Sequence, residues 1–286
     1  AEVRAIMEEA FTVLSRARAQ IRRPLDSRMQ ATVSVVDTHG AVLGIVRSPD
    51  GPVFGTDVSL QKARTAAFFS NPVAGQQLIA AGGDVAGYVQ RVRDFLGDPN
   101  ALTGTHAFAD RSGGNLSRPY FPDGEVGQPP GPLSVADTDR FSPFAVGLQT
   151  DLVAGNIVQH VTHIATSGAQ PDTPLGCSNV PEASPGQRRV ANGIQIFPGS
   201  VPIYRGDQLV GGIGVSGDGI DQDDMVSFLG THNGGVRVGG IGNADPSIRA
   251  DRIEVNVNGR IVRLRYVNCP FAPFLDTDEQ NVCQGL

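Results

Sequence analysis

The sequence predicts an α+β fold in which helices and antiparallel hairpins are interrupted by one long, loop-rich insertion and followed by a C-terminal β-hairpin. Three observations predict it. Apolar residues recur at three- and four-residue spacing in separate segments, as amphipathic helices require. Runs rich in β-branched residues face each other across short turns containing Gly or Asn-Gly. Between about Gly97 and Gly147 the composition shifts to Gly, Pro, Ser and Asp, a stretch too long for an ordinary connection.

Residues 2–20 place Ile6, Met7, Ala10, Phe11, Leu14 and Ala17 on one helical face with charges opposite. The β-rich run 31–37, the turn Thr38-His39-Gly40 and the run 41–46 read as a hairpin. Asp57 is placed to cap a second helix over 58–69, which ends before Asn71-Pro72. A third helix, 84–96, carries Val85, Tyr88, Val89, Val92 and Phe95 on one face. Residues 148–165 regain helical spacing through Leu152, Ile157, Val161 and Ile164, and 166–191 return to loop composition. Regular structure resumes at 193–197, then 201–205, a Gly206-Asp207 turn, and 208–216. Asp221 is read as the cap of a short helix ending near Leu229, with Asp223 and Asp224 close to its positive end. The runs 252–257 and 260–267 flank Asn258-Gly259, the type I′ hairpin signature. A two-residue loop there pairs Val255 with Val262 and Ile253 with Leu264.

Composition narrows the function. A chain of 286 residues suffices for one large domain or two small ones, and 40% apolar residues suffice for a core. The net charge of −6 argues against nucleic acid as a partner, since phosphate binding needs a basic face. No apolar run reaches the roughly 18–20 residues of a membrane span. Lys62 is the single lysine among 23 basic residues. It therefore marks a position where a compact ammonium serves and a planar guanidinium does not. Cys177, Cys269 and Cys283 form no CxxC pair, which excludes a zinc ribbon and a c-type haem attachment. A bridge between Cys269 and Cys283 would staple an irregular Pro-containing tail and indicate an oxidising compartment, although the pairing among the three stays open. The chain also begins Ala-Glu-Val directly at a helix, as a processed exported protein would, so the expected location is periplasmic or extracellular.

Two segments carry a family resemblance. Val33-Ser-Val-Val-Asp-Thr-His-Gly40 through Asp57-Val-Ser-Leu-Gln-Lys-Ala-Arg-Thr-Ala-Ala67 resembles a strand, turn, strand and D-x4-K-A-x-T-A helix. Phe197-Pro-Gly-Ser-Val-Pro-Ile203, Gly211-Gly-Ile-Gly-Val-Ser-Gly217 and Gln222-Asp-Asp224 resemble the blocks P-G-G-V-P, G-x-I-G-V-S-G and Q-D. Together they resemble the GlcG/HbpS family, which is related to the C-terminal domain of the PduO proteins. The resemblance implies an antiparallel sheet flanked by helices, assembly into oligomers, and haem or a corrinoid as ligand. It divides the chain into a discontinuous domain, 1–72 and 192–230, an insertion, 73–191, and a C-terminal extension, 231–286. Ser200 stands where the family has the second glycine of its P-G-G block, and the first helix carries no His.

The candidate ligand site follows from these blocks. Pro198, Gly199, Ser200, Ser216 and Gly217 offer small side chains and backbone N–H groups, with Gln222 and Asp223 at a helix start. Such a set suits an anionic group, for example a haem propionate. The plainer alternative is that the glycines only allow tight turns. Lys62 falls on the family's lysine and is expected to face an anionic ligand or another subunit. His160 and His163, spaced i,i+3, share a helix face as metal or haem ligation requires; a solvated face fits their polar neighbours equally well. His39 is placed in a turn, and His106 and His232 in loops. No catalytic signature is present, and Asp218–Asp224 does not match the EF-hand spacing. The sequence thus reads as a non-enzymatic, exported binding protein for haem or a related tetrapyrrole. It is expected to form a homo-oligomer or to join a complex. The alternative is a structural or accessory subunit of an extracytoplasmic assembly, docking through the insertion and the C-terminal extension, and a third is an enzyme acting on a small organic acid.

Overall fold

The protein is described by a computed structural model covering residues 1–122, 125–134, 154–173 and 182–286. Helix α1 (Glu2–Arg16) buries Ala5, Ile6, Ala10, Val13 and Leu14, the stripe its spacing predicts. It stops short of residue 20 because the next residues are taken into bridges, Ala17 with Phe274 and Arg18 with Arg28. β1 (Ala31–Asp37) and β2 (Val42–Arg47) form the first hairpin. Its turn is held by Asp37 Oδ1, which accepts from the amides of His39 and Ala41 at 2.8 and 2.9 Å. Helix α2 (Gly55–Phe69) starts before the expected position, so Asp57 lies in its first turn and does not cap it. The Asp57 side chain instead accepts from Asn192 Nδ2 at 3.0 Å.

The insertion holds more helix than expected. α3 (Ala74–Ala81) precedes α4 (Gly83–Leu96), and α5 (Asp110–Gly113) is a single turn leading into a 3₁₀ turn over Gly114–Ser117. Eight residues are too few to show α3's period in the sequence. α6 (Ala154–Ala165) covers the last two thirds of the predicted helix, and residues 148–153 lie outside the described residues, as does Cys177. Residues 193–197 form no strand. There the Gln195 side chain accepts from the amides of Ile196 and Phe197, while the Gln195 backbone amide donates to Thr65 Oγ1 at 2.9 Å. The backbone is satisfied by side chains, so it needs no ladder.

β3 (Ser200–Arg205) and β4 (Gln208–Gly217) complete a four-stranded antiparallel sheet in the order β2-β1-β4-β3. The register pairs Val33 with Val215 and Ser34 with Gly214, which in turn faces Ser200. Alternation then decides what covers each face. Val33, Val35, Val201, Ile203, Ile213 and Val215 join α1 and α7 in the larger core. The small residues Ser34, Gly212 and Gly214 turn to the other face, where α2 approaches closely. A Cβ on Gly214 would fall 2.1 Å from the Ser59 carbonyl oxygen.

α7 (Ile220–Val238) extends well beyond Leu229 and starts from Gly219, so Asp221 lies in its first turn and does not cap it, and His232 is helical. Its glycines, which read as breakers, are where α1 packs: a Cβ on Gly230 would be 2.6 Å from Ala10 Cβ. β5 (Glu254–Val257) and β6 (Arg260–Arg263) form the C-terminal hairpin, with Asn258 at φ 52° and Gly259 at φ 83° as type I′ requires. Val255 pairs with Val262, and the Leu264 amide donates to the Ile253 carbonyl at 3.0 Å. The strands are shorter than expected, yet the apolar set is buried: Val255, Val257 and Leu264 share a second core with Phe69, Val92, Leu116 and Phe121. The hairpin therefore packs on the insertion. Cys269 and Cys283 are bridged. Among the described residues no helix is long and apolar enough to cross a membrane.

Candidate functional site

The motif residues converge where α2, the turn before β3, the end of β4 and the start of α7 meet. Lys62 Nζ donates to Asp223 Oδ2 and to the Val215 carbonyl, each at 2.8 Å, and both charged side chains are 2% exposed. Gly199, at φ 137°, lies directly above: a Cβ there would be 2.6 Å from Asp223 Cβ and 2.8 Å from Lys62 Nζ. Pro198, Ser200, Ser216 and Gln222 are also buried, and Gly217 ends β4 opposite Ala31. Lys62 thus faces neither solvent nor a neighbouring chain. Its ammonium is enclosed, and the space above it explains why a guanidinium would not serve.

The insertion closes this cluster from outside. The Asp110 amide donates to Ser200 Oγ at 3.2 Å, Arg111 Nε donates to Asp224 Oδ2, and Arg111 Nη2 reaches Asp221 Oδ1 at 2.7 Å. A Cβ on Gly114 would lie 2.1 Å from the Gln195 carbonyl oxygen, so this turn fits tightly. Three fully buried carboxyls result. Burial pushes Asp223 and Asp224 up to about 6, against the pull of Lys62 and Arg111 respectively. Burial pushes Asp110 well above its ordinary value, and both of its oxygens lack a hydrogen-bond partner. With three carboxyls against one ammonium and one guanidinium, the cluster does not fit a further anion such as a haem propionate. Asp110 and Arg111 carried no sequence signal, because they sit in an aperiodic Gly- and Ser-rich stretch.

The two histidines lie elsewhere, on α6. His160 Nδ1 is 2.7 Å from Asp172 Oδ1, and His163 Nδ1 is 2.7 Å from the Gln170 carbonyl. The turn through Ser167 (φ 52°) and Gly168 (φ 86°) brings residues 170–172 back along the helix. The hydrogen bond from His160 is the main reason that the Asp172 carboxyl sits below its ordinary pKa. Ile157, His160, Val161 and Ile164 follow the i, i+3, i+4, i+7 spacing of a single stripe, and all are exposed. With Nδ1 engaged by a carboxylate, the remaining His160 nitrogen is the one left for a ligand. Among the described residues no group of three or more His, Cys, Asp or Glu could hold a bare metal ion.

A cavity of about 410 Å³ separates the 3₁₀ turn of the insertion from β6. Arg111, Asn115, Phe121, Glu125 and residues 260–265 line it.

Comparisons with known proteins bear on the second half of the chain. The family model described as haem degrading protein HbpS-like matches residues 144–230, which include α6, β3, β4 and the start of α7. The match takes in the second motif-bearing segment and not the first. No curated protein matches the chain. Among solved structures, a crystal structure of a PduOC:heme complex aligns at 14% identity and a TM-score of 0.32, over 80% of this chain and 88% of that one. The Klebsiella pneumoniae protein ORFY aligns at 15% identity and a TM-score of 0.31, over 80% and 81%. Over residues 144–230, then, the chain is similar to the HbpS-like haem degrading proteins, the family its motifs resemble.

Proposed function

We propose that this chain binds haem or a related tetrapyrrole outside the cytoplasm, with the imidazoles of α6 as the iron ligands. The observation that carries the reading is His160: its Nδ1 is held by Asp172 at 2.7 Å, and it stands within an exposed apolar stripe. Asp172 fixes the ring and raises the basicity of the other nitrogen. Ile157, Val161 and Ile164 offer apolar surface to the macrocycle, whose iron would supply the ligand-binding or redox chemistry. The similarity of residues 144–230 to a haem-degrading family supports the same ligand. The Cys269–Cys283 bridge supports an oxidising compartment. The buried Lys62 cluster has a structural part in this reading, locking the insertion onto the sheet.

The test is a haemin titration followed by absorbance, on the wild type and on His160→Ala/His163→Ala. A saturable Soret shift that the double variant loses supports the proposal. A shift that survives moves the ligand away from α6, and no saturable shift removes haem altogether.

A second reading, a subunit of a larger extracytoplasmic assembly, is favoured by β2. This edge strand exposes Val42, Leu43, Ile45 and Val46 beside an open row of backbone donors and acceptors. Monodisperse behaviour of the isolated chain at high concentration would count against it.

A further inference from the structure

The cavity between the insertion and β6 lies outside the α6 site and outside the matched segment. At about 410 Å³ it falls within the range of small-molecule sites. Among the described residues four arginines line it, Arg111, Arg260, Arg263 and Arg265, against one acid, Glu125. Most of that charge is spent internally. Arg111 is held by Asp221 and Asp224, Arg260 reaches Glu125 at 2.5 Å, and Arg263 reaches Glu254 at 2.7 Å. Arg265 has no ion-pair partner among the described residues, and its side chain is exposed. The cavity therefore offers one uncompensated guanidinium, a planar fork suited to a carboxylate.

The rest of the wall defines the body of the ligand. Phe121, Pro122, Ile261, Val262 and Leu264 form apolar surface beside the arginines. A phosphate dianion would leave a charge unmatched and the apolar wall unused. One uncompensated positive charge beside an apolar wall matches an organic acid with a single carboxylate and a hydrocarbon body.

We propose that this cavity is a binding site for a small monocarboxylic acid, with its carboxylate on Arg265 and its apolar body between Phe121 and β6. The insertion and the C-terminal hairpin together create the site, and neither forms it alone.

The test uses the intact protein and benzoate as probe, read by titration calorimetry, with inorganic phosphate as competitor. Saturable benzoate binding is expected, weakened about tenfold or more in Arg265→Ala. Ile261→Glu, which sets a negative charge on an exposed wall position, is expected to abolish it. Haemin binding is expected to be unchanged in both variants, and benzoate binding unchanged in His160→Ala/His163→Ala. Absence of saturable benzoate binding, or equal affinity in wild type and Arg265→Ala variants with the same melting temperature, would overturn the proposal. So would displacement of benzoate by equimolar phosphate.

Discussion

Lys62 Nζ and Asp223 Oδ2 meet at 2.8 Å although 161 residues separate them in sequence, and each side chain is 2% exposed. The pair ties α2 to α7 across the end of β4. Removing one partner leaves a buried charge without compensation. Lys62→Met is therefore expected to cost about 3–5 kcal/mol in urea unfolding, and Lys62→Met/Asp223→Leu to recover most of that loss. Lys62→Arg should not substitute, since the wider head meets the Gly199 backbone. A single-variant cost near zero would show that the pair does not hold the two helices.

The three buried carboxyls give a pH dependence of unusual sign. Burial, outweighing the opposing pull of Lys62 and Arg111, places Asp223 and Asp224 at about 6, above the ordinary value of 3.8, and burial raises Asp110 in the same sense. The folded chain thus keeps protons that the unfolded chain releases. The stability they contribute is complete below the unfolded value and is lost as pH rises through about 6. Thermal melts should show a higher Tm at about pH 5 than at about pH 8. Asp110→Asn should raise Tm most at the alkaline end, by the equivalent of about 1–3 kcal/mol, and flatten the profile. A Tm that climbs steadily with pH would contradict this account.

In the proposed haem site Asp172 would position His160, whose Nδ1 it holds at 2.7 Å. Asp172→Ala is expected to weaken haemin binding about 10- to 100-fold while leaving far-ultraviolet dichroism unchanged. Asp172→Asn, which keeps a hydrogen-bonding group, should lose less. Equal haemin affinity in all three proteins would remove Asp172 from the site.

Gly214 is where the sheet and α2 come closest. An added methyl would sit 2.1 Å from the Ser59 carbonyl oxygen and 2.5 Å from the Ala63 amide nitrogen, both backbone atoms. Gly214→Ala should therefore destabilise by about 1–3 kcal/mol or more. Gly242→Ala, with no atom within 4 Å, serves as the control and should change stability by less than about 0.5 kcal/mol.

The Cys269–Cys283 bridge closes a segment of 14-residue separation whose end packs against the main core. Cys269→Ser/Cys283→Ser is expected to cost about 2–4 kcal/mol, measured by denaturant unfolding under non-reducing conditions.

What the sequence determined by itself was local. The type I′ turn at Asn258-Gly259, the three hairpins and the apolar stripe of α1 were legible because each depends on residues within a few positions of one another. The resemblance added the α+β class, and i,i+3 spacing singled out His160 and His163. Tertiary structure decided the rest. α7 runs on past Leu229 because Gly230 and Gly234 gain the close packing of α1, a reward that helix propensity cannot register. Residues 193–197 gave up a ladder because Gln195 and Thr65 satisfy their amides. Lys62 was marked by rarity, but its burial, its pairing with Asp223 and its cover by Asp110 and Arg111 come from distant segments. Asp172 reached His160 only through a turn whose geometry the spacing of histidines does not contain. Short-range periodicity is written in the chain, whereas the compensation of buried charge depends on which segments fold against each other.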